Sequence, residues 1–530
     1  MLQLTNLRDA MRHEGGLTRR LFLAYGAALG SIPLLGRESS HAAPVRFSND
    51  PFALGVASGD PNADGMVLWT RLAPRPLEGD GGMPNVMVSV TWEVAEDDGM
   101  KRIVASGTEL ATPQLGHSVH VELKGLKPDR WYWYRFRCGD AESPIGRTRT
   151  LPAPDAMPDR LKFAFTSCQN YEQGLFTAYE QMAREDVDLV FHLGDYIYEY
   201  EAGRNGKVRT HLGNEIESLS EYRVRYSQYR ADPLLQAMHA RCPWFVTWDD
   251  HEFDNNCAAD ISEEQGVATA DYLLRRANAY QAYYEMMPLR KSSLPSGPHL
   301  QLYRKADFGR LANLLVLDTR QYRTDQPNGD RRSPINAAAL DRSSSMLGTK
   351  QRNWLYRSLL QSHGTWNVLA QQVMMGLVGF PSGDQPPVYS MDQWPGYAAE
   401  RMQLMQFMAD RRIANPVVLT GDIHSNWVNE LRVDDRRPEQ AVVATEFVGT
   451  SLTSGGNGPA KSVHADALVS NNACLKFQNN ERGYVCCTVT PTNWTTDFMV
   501  IDDVLKPGGK VRKRASFVVE SGDPRVNFNG

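Results

Sequence analysis

Residues Leu189–Tyr198, LVFHLGDYIY, decide the reading of this chain: an apolar run of strand type stops at Gly-Asp and polar chemistry follows at once. Three other stretches repeat the plan. Phe163–Asn170 is FAFTSCQN, Phe245–Asn256 is FVTWDDHEFDNN and Val417–Trp427 is VVLTGDIHSNW. Short continuous apolar runs bounded by turn residues fit strands buried on both faces, as in sheets covered by helices. In open α/β sheets ligands bind beyond the carboxyl ends of the strands, so the groups ending these four runs are expected to converge on one crevice.

Outward from these runs the pattern divides in two. From residue 160 to about 515, strand-like segments (LKFAFTS, VDLVFHL, CPWFVTW, LLVLDTR, WNVLAQQV, NPVVLTG) alternate with helical ones (GLFTAYEQMARE, RRANAYQAYYEMM, NWLYRSLLQS, AERMQLMQFMADRR). That alternation predicts an α/β domain. From 46 to 152 the segments MVLWTRL, NVMVSVTWEV, HSVHVELKGL and WYWYRFRC are separated by turn residues and partly alternate, which predicts an all-β sandwich. Pro152–Arg160, with three prolines, reads as the linker.

The 530 residues are 42% hydrophobic and 22% charged, which excludes a chain disordered throughout. Residues 1–42 read as a leader. Thr18-Arg19-Arg20 precedes the apolar run Leu21–Leu35, and Ser40-His41-Ala42 offers a cleavage site. The run is too short to span about 30 Å of hydrocarbon, so export through the twin-arginine machinery to the periplasm or exterior is expected, without stable membrane insertion. Formal charge is −5, and −7 without the leader's five basic and three acidic residues. No long basic stretch exists to meet a nucleic-acid duplex. Seven cysteines are an odd number, so at least one stays out of any internal disulfide. Adjacent Cys486 and Cys487 read as packing residues on opposite faces of a strand, whereas Cys168 reads as a loop-exposed thiolate.

The strand ends carry chemistry suited to metal ions. Asp195 follows a glycine and its two oxygens can bridge two cations. Tyr198 lies three residues on. A phenol with a pKa of about 10 ligates as phenolate only beside a strong Lewis acid such as ferric iron; the competing reading is an aromatic packing residue. Asp249, Asp250, His251, Glu252 and Asp254 crowd into six residues, an arrangement that repels itself unless a cation relieves it. Asp422 and His424, two residues apart, point to one side if extended.

The ordered set SCQN, GDYIYE, WDDHE and GDIHSNW resembles the PhoD-type alkaline phosphatases, a divergent branch of the calcineurin-like metallophosphoesterases. The wider superfamily has DxH, GDxxx, GNH(D/E) and GHxH. Here Cys168 stands near the first block, Asp250-His251-Glu252 for the third and Gly421-Asp422-Ile423-His424 for the fourth, departures that match the PhoD-type branch. The resemblance spans nearly the whole chain, including the leader and GVASGDP at Gly55–Pro61. It implies a four-layer α/β catalytic domain, two sheets flanked by helices, behind an N-terminal all-β sandwich. It implies a ferric ion on Cys168, Asp195, Tyr198 and His424, and one or two calcium ions on Asp195, Asp250 and Asp422, with Asp249 beside them. A phosphate ester is the implied substrate, monoesters and also diesters, attacked by metal-activated hydroxide. His251 is the candidate to contact phosphate or protonate the leaving group, with Glu252 or a nearby acid orienting it. Arg225 in EYRVRYSQYR is a candidate phosphate grip, against an amphipathic helix with solvated arginines; Asn170 and Asn256 are outer candidates. Two alternatives remain: an enzyme acting mainly on diesters in the manner of a phospholipase D, and a non-catalytic exported binder of phosphate or a polymer.

Overall fold

The computed structural model describes residues 46–206, 208–461 and 465–530. The leader reading at 1–42 lies outside the described residues.

A ten-stranded mixed sheet runs in the order Asp523–Phe528, Val511–Glu520, Asn493–Ile501, Gly483–Val489, Leu161–Thr166, Leu189–His192, Trp244–Val246, Val56–Gly59, Val67–Arg71, Ser118–Glu122. Facing it is a seven-stranded sheet: Arg304–Phe308, Ala312–Val316, Trp366–Ala370, Pro416–Thr420, Ala444–Val448, Asn426–Leu431, Leu475–Asn479. The runs that opened the sequence reading are parallel strands at the centre of each sheet. Both faces of these strands are covered, which is why the runs are continuous rather than alternating. Between the sheets, Phe163, Phe191 and Phe245 on one side meet Leu314, Val368, Val417 and Leu419 on the other. Phe191 stacks on Phe245 at 5.4 Å and meets Phe163 edge-on at 5.3 Å. Truncating such a residue, as in Phe191→Ala, costs about 3–5 kcal/mol through lost burial and the cavity left.

Helices close both outer faces. Thr177–Met182, Leu219–Arg230, Pro233–His239 and Thr269–Met286 pack on the ten-stranded sheet. Gly348–Leu360 and Ala398–Asp410 pack on the other. The result is the four-layer order expected. Cys486 and Cys487 face the two different cores, and all seven cysteines are buried and unbridged. Cys168 corrects its expectation: its exposure is 0%, so the thiol is aimed inward rather than held in an open loop.

The N-terminal region contains a five-stranded sheet, Val88–Ala95, Ile103–Ala111, Trp131–Cys138, Ala141–Glu142 and Gly146–Arg149. In Trp131–Cys138 every second residue (Tyr132, Tyr134, Phe136, Cys138) is buried, the period of a strand with one face on a core. The opposing wall consists of Val56–Gly59, Val67–Arg71 and Ser118–Glu122, which are also the edge of the ten-stranded sheet. Two β layers are therefore present, but one belongs to the catalytic region's own sheet. Among the described residues no helix is long and apolar enough to cross a membrane.

Candidate active site

Each site residue leaves the carboxyl end of a parallel strand: Cys168 after Leu161–Thr166, Asp195 and Tyr198 after Leu189–His192, Asp249–His251 after Trp244–Val246, Asp422 and His424 after Pro416–Thr420. The chain turns sharply to present them. Cys168 (φ 57°), Asp195 (φ 54°), Asp422 (φ 67°) and His424 (φ 52°) all occupy the left-handed region. This costs of order 1 kcal/mol or more per residue and clusters at functional sites. Gly194, at φ 110°, permits the approach, because a Cβ there would sit 2.4 Å from that of Asp249.

Cys168, Asp195 and His424 offer ligand atoms that lie within 4.8 Å of one another. The Tyr198 hydroxyl donates to Asp195 Oδ2 at 2.9 Å and lies 3.3 Å from His424 Nε2 and 2.6 Å from Ser454 Oγ. Burial, then the neighbouring Asp195 carboxylate, drives the Cys168 thiol and the Tyr198 phenol well above their ordinary pKa values. Burial also raises Asp195 well above the carboxylate range, and lowers His424 to about 3, keeping its imidazole neutral. An anionic thiol, phenol and carboxyl exist together here only beside a strong cation.

Asp249, Asp250 and Asp422 form a second group, and Asp195, Asp250 and His251 a third, so Asp195 and Asp250 join the groups into one site. The Arg320 guanidinium, 1% exposed, lies among the acids. Its Nε donates to Asp249, Nη1 to both oxygens of Asp392 at 2.8 and 3.0 Å, and Nη2 to Asp422 at 2.8 Å. Gln393 holds the other Asp422 oxygen at 3.0 Å. Burial alone would raise Asp250, but Arg320 and His251 outweigh it and hold this carboxyl below its ordinary range. Asp422 is lifted by burial to about 6.

His251 makes a 2.8 Å contact from Nδ1 to Glu199 and lies over the Tyr198 ring at 4.2 Å. Burial alone would lower its pKa, yet Glu199, Asp250 and Asp195 hold it well above 6.5. The orienting acid is thus Glu199. Glu252 is turned to backbone instead, accepting from the amides of Asp195, Tyr196 and Asp249 at 3.0, 2.5 and 2.8 Å, and so binds two ligand loops together.

The structure does not bring Arg225 to the crevice. It is 1% exposed and donates to the Tyr198 and Leu212 carbonyls. Its helix is not a solvated amphipathic one either, since Tyr222, Arg225, Tyr226, Tyr229 and Arg230 are all buried. Arg225 braces the Tyr198 turn from behind. Asn256 donates its amide to Asp250 Oδ2 at 2.8 Å, and Asn170 bonds to the Thr453–Ser454 loop. Sequence reasoning missed Arg320, Asp392, Gln393 and Ser454. Only Arg320 left a signal, as the charged end of the run LLVLDTR.

The profile of the PhoD-like phosphatase matches residues 163–498, and that of the PhoD-like phosphatase N-terminal domain matches 38–152. The chain belongs to the PhoD-like phosphatase family. It is 51% identical over 525 residues to alkaline phosphatase D of Bacillus subtilis (strain 168), spanning 97% of this chain and 89% of that one. A solved structure of PhoD superposes with TM-score 0.89 at 50% identity, over 92% of this chain and 93% of the other. This PhoD-type protein is therefore a phosphoric ester hydrolase acting on a phosphate ester, and its family is metal-dependent. The donors fit such a requirement: Asp195 Oδ1 and Asp249 Oδ2, one in each flank of the site, are buried without any hydrogen-bond partner among the described residues.

Proposed function

We propose that this PhoD-type phosphatase hydrolyses phosphate monoesters and diesters at a mixed ion pair. A ferric ion is held by Cys168, Asp195, Tyr198 and His424, and one or two calcium ions by Asp195, Asp250 and Asp422, with Asp249 alongside. The observation that carries this reading is the division of donors about Asp195: thiol, phenol and imidazole in one group, and on the other flank the all-carboxylate group Asp249, Asp250 and Asp422. Soft and phenolate donors suit iron; hard oxygens suit calcium. When bound, such ions supply Lewis-acid stabilisation of phosphoryl oxygens and acidify water to a hydroxide nucleophile.

The chain's own part is positioning and proton transfer. Glu199 accepts from His251 Nδ1–H, which fixes the ring and keeps the second proton on Nε2, where it is given to the departing alkoxide. Tyr198 supports the ring from one face. The paired arginines at Arg19-Arg20 support export by the twin-arginine route to the periplasm or exterior.

Turnover of a chromogenic monoester and diester, run beside elemental analysis of native protein, tests the reading. Hydrolysis of both, with iron, calcium and a visible charge-transfer band, is expected. A colourless, iron-free and fully active preparation overturns the ferric assignment. Hydrolysis of only one ester overturns the breadth, and phosphate retention without turnover overturns catalysis. Retention of an Arg19→Lys, Arg20→Lys double variant in the cytoplasm checks the route.

A further inference from the structure

Arg320 is the most heavily engaged side chain in the site, and no step above uses it. Its guanidinium reaches Asp249, Asp392 and Asp422 directly and lies 3.6 Å from Asp250. Those acids come from different layers. Asp249 and Asp250 follow Trp244–Val246 of the ten-stranded sheet, Asp422 follows Pro416–Thr420 of the seven-stranded sheet, and Arg320 follows Ala312–Val316 of the latter. Carboxylates packed within 4.8 Å of one another repel strongly in a water-poor interior. Without an internal positive charge the two loops would be driven apart whenever the ions were absent. Arg323 adds a second clamp, donating to Asp392 Oδ1 at 2.7 Å and so fixing the acid that fixes Arg320. Among the described residues Asp249 Oδ2 has no hydrogen-bond partner.

We infer that Arg320 is the positioning residue of the calcium side: it assembles carboxylates from both sheets into one donor set before an ion arrives. The inference rests on the two-cation reading above. It differs from a competing role, in which the guanidinium would occupy oxygens that the ion needs, and from a brace for the fold alone. These three roles predict different signs for calcium affinity.

The test is calorimetric titration of calcium chloride into metal-stripped full-length protein, with melting temperatures measured with and without calcium. Arg320→Met should bind calcium 10–100-fold more weakly, the range seen when groups orienting metal ligands are removed. Its melting temperature should also rise less than that of the parent at the same calcium concentration, because stabilisation by a bound ion follows its affinity for the native state. Arg320→Lys and Asp392→Asn should show intermediate losses, and they decide the matter by the same criterion if Arg320→Met does not fold. An unchanged dissociation constant with a lowered melting temperature overturns the inference in favour of a brace. Tighter binding overturns it in favour of a competitor. If the parent itself binds no calcium, the two-cation reading and this inference fall together; if only the variants match the parent, the inference alone falls.

Discussion

The two flanks of the site are compensated differently. Around Cys168, Tyr198 and Asp195, burial raises every acidic group, and the His424 imidazole is held neutral. Around Asp249, Asp250 and Asp422 the chain supplies its own cation, and Asp250 is held below the usual carboxylate range. The first flank becomes anionic only when a strong Lewis acid enters; on the second, Arg320 already favours the charged form of Asp250, although burial lifts Asp249 well above the carboxylate range and Asp422 to about 6. The difference teaches that the flank proposed for iron should be sensitive to loss of donors, whereas the flank proposed for calcium should be sensitive to loss of geometry.

Breaking the residue the flanks share should have the largest effect. Asp195→Asn is expected to lower turnover at least ~10³-fold and to deplete both metals, because in the proposed two-ion site this carboxylate would serve both. The fold should persist, since the amides of Asp195 and Tyr196 still reach Glu252. In metal-free protein the melting temperature should equal or exceed that of the parent, because near neutral pH a carboxyl whose pKa burial raises must take up a proton on folding, whereas the amide need not. Elemental analysis and calorimetry check this; normal metal content with full activity would refute a bridging role.

Tyr198→Phe sharpens the contrast on one flank only. Loss of the phenol should abolish the visible phenolate-to-iron band and reduce activity roughly 10–100-fold, while calcium affinity changes little. A band that survives the substitution assigns the colour to another ligand and removes Tyr198 from the iron side.

The two flanks were not equally legible in the sequence. Cys168, Asp195, Tyr198, Asp250, Asp422 and His424 each end an apolar run, so a local pattern of about ten residues points to each one. Arg320 ends a run as well, but a strand that stops at arginine looks like any strand reaching solvent, and nothing local says the arginine turns inward. Asp392 and Gln393 come after Gln385–Val388, a largely exposed hairpin strand reading QPPV that offers no apolar run to point to them. Arg225 misled for a related reason: spacing assigns residues to faces of a helix, but here both faces are buried, and the arginine is satisfied by backbone carbonyls. The N-terminal strands were visible from their alternation, yet the pairing of Gly59 with Trp244 links residues far apart in the chain. Alternation says that a strand has an inner face, not which sheet it joins.

Glu199→Gln removes the negative partner of His251 and leaves both flanks loaded. Because Glu199 is the leading influence that raises the His251 pKa against burial, its loss should lower that pKa. The basic limb of the kcat profile should then move down by about one unit or more, with kcat near the optimum reduced ~10-fold. Metal content should stay at the parental level. A pH profile that does not move would show that His251 is not the proton donor.

The smallest effect is expected far from the metals, at the seam between the N-terminal strands and the catalytic helices. His120 stacks on Tyr284 at 4.4 Å, its Nδ1 lies 3.1 Å from the Leu289 carbonyl, and burial lowers its pKa to about 4. A folded pKa below the unfolded value of about 6.5 means that the native state disfavours the proton. Its contribution is therefore complete above pH 6.5 and declines as pH falls, by about 1.4 kcal/mol per unit and roughly 3 kcal/mol in all by pH 4. His120→Phe keeps the ring stack and removes the titration. It should lose about 1 kcal/mol at pH 7.5 through the missing hydrogen bond, yet fall less in melting temperature than the parent between pH 7.5 and pH 5. Turnover at pH 8 should be unaltered, since this seam touches neither flank. Parallel curves of melting temperature against pH would show that the imidazole is protonated as easily in the native state as in the unfolded chain, and would remove His120 from the acid response.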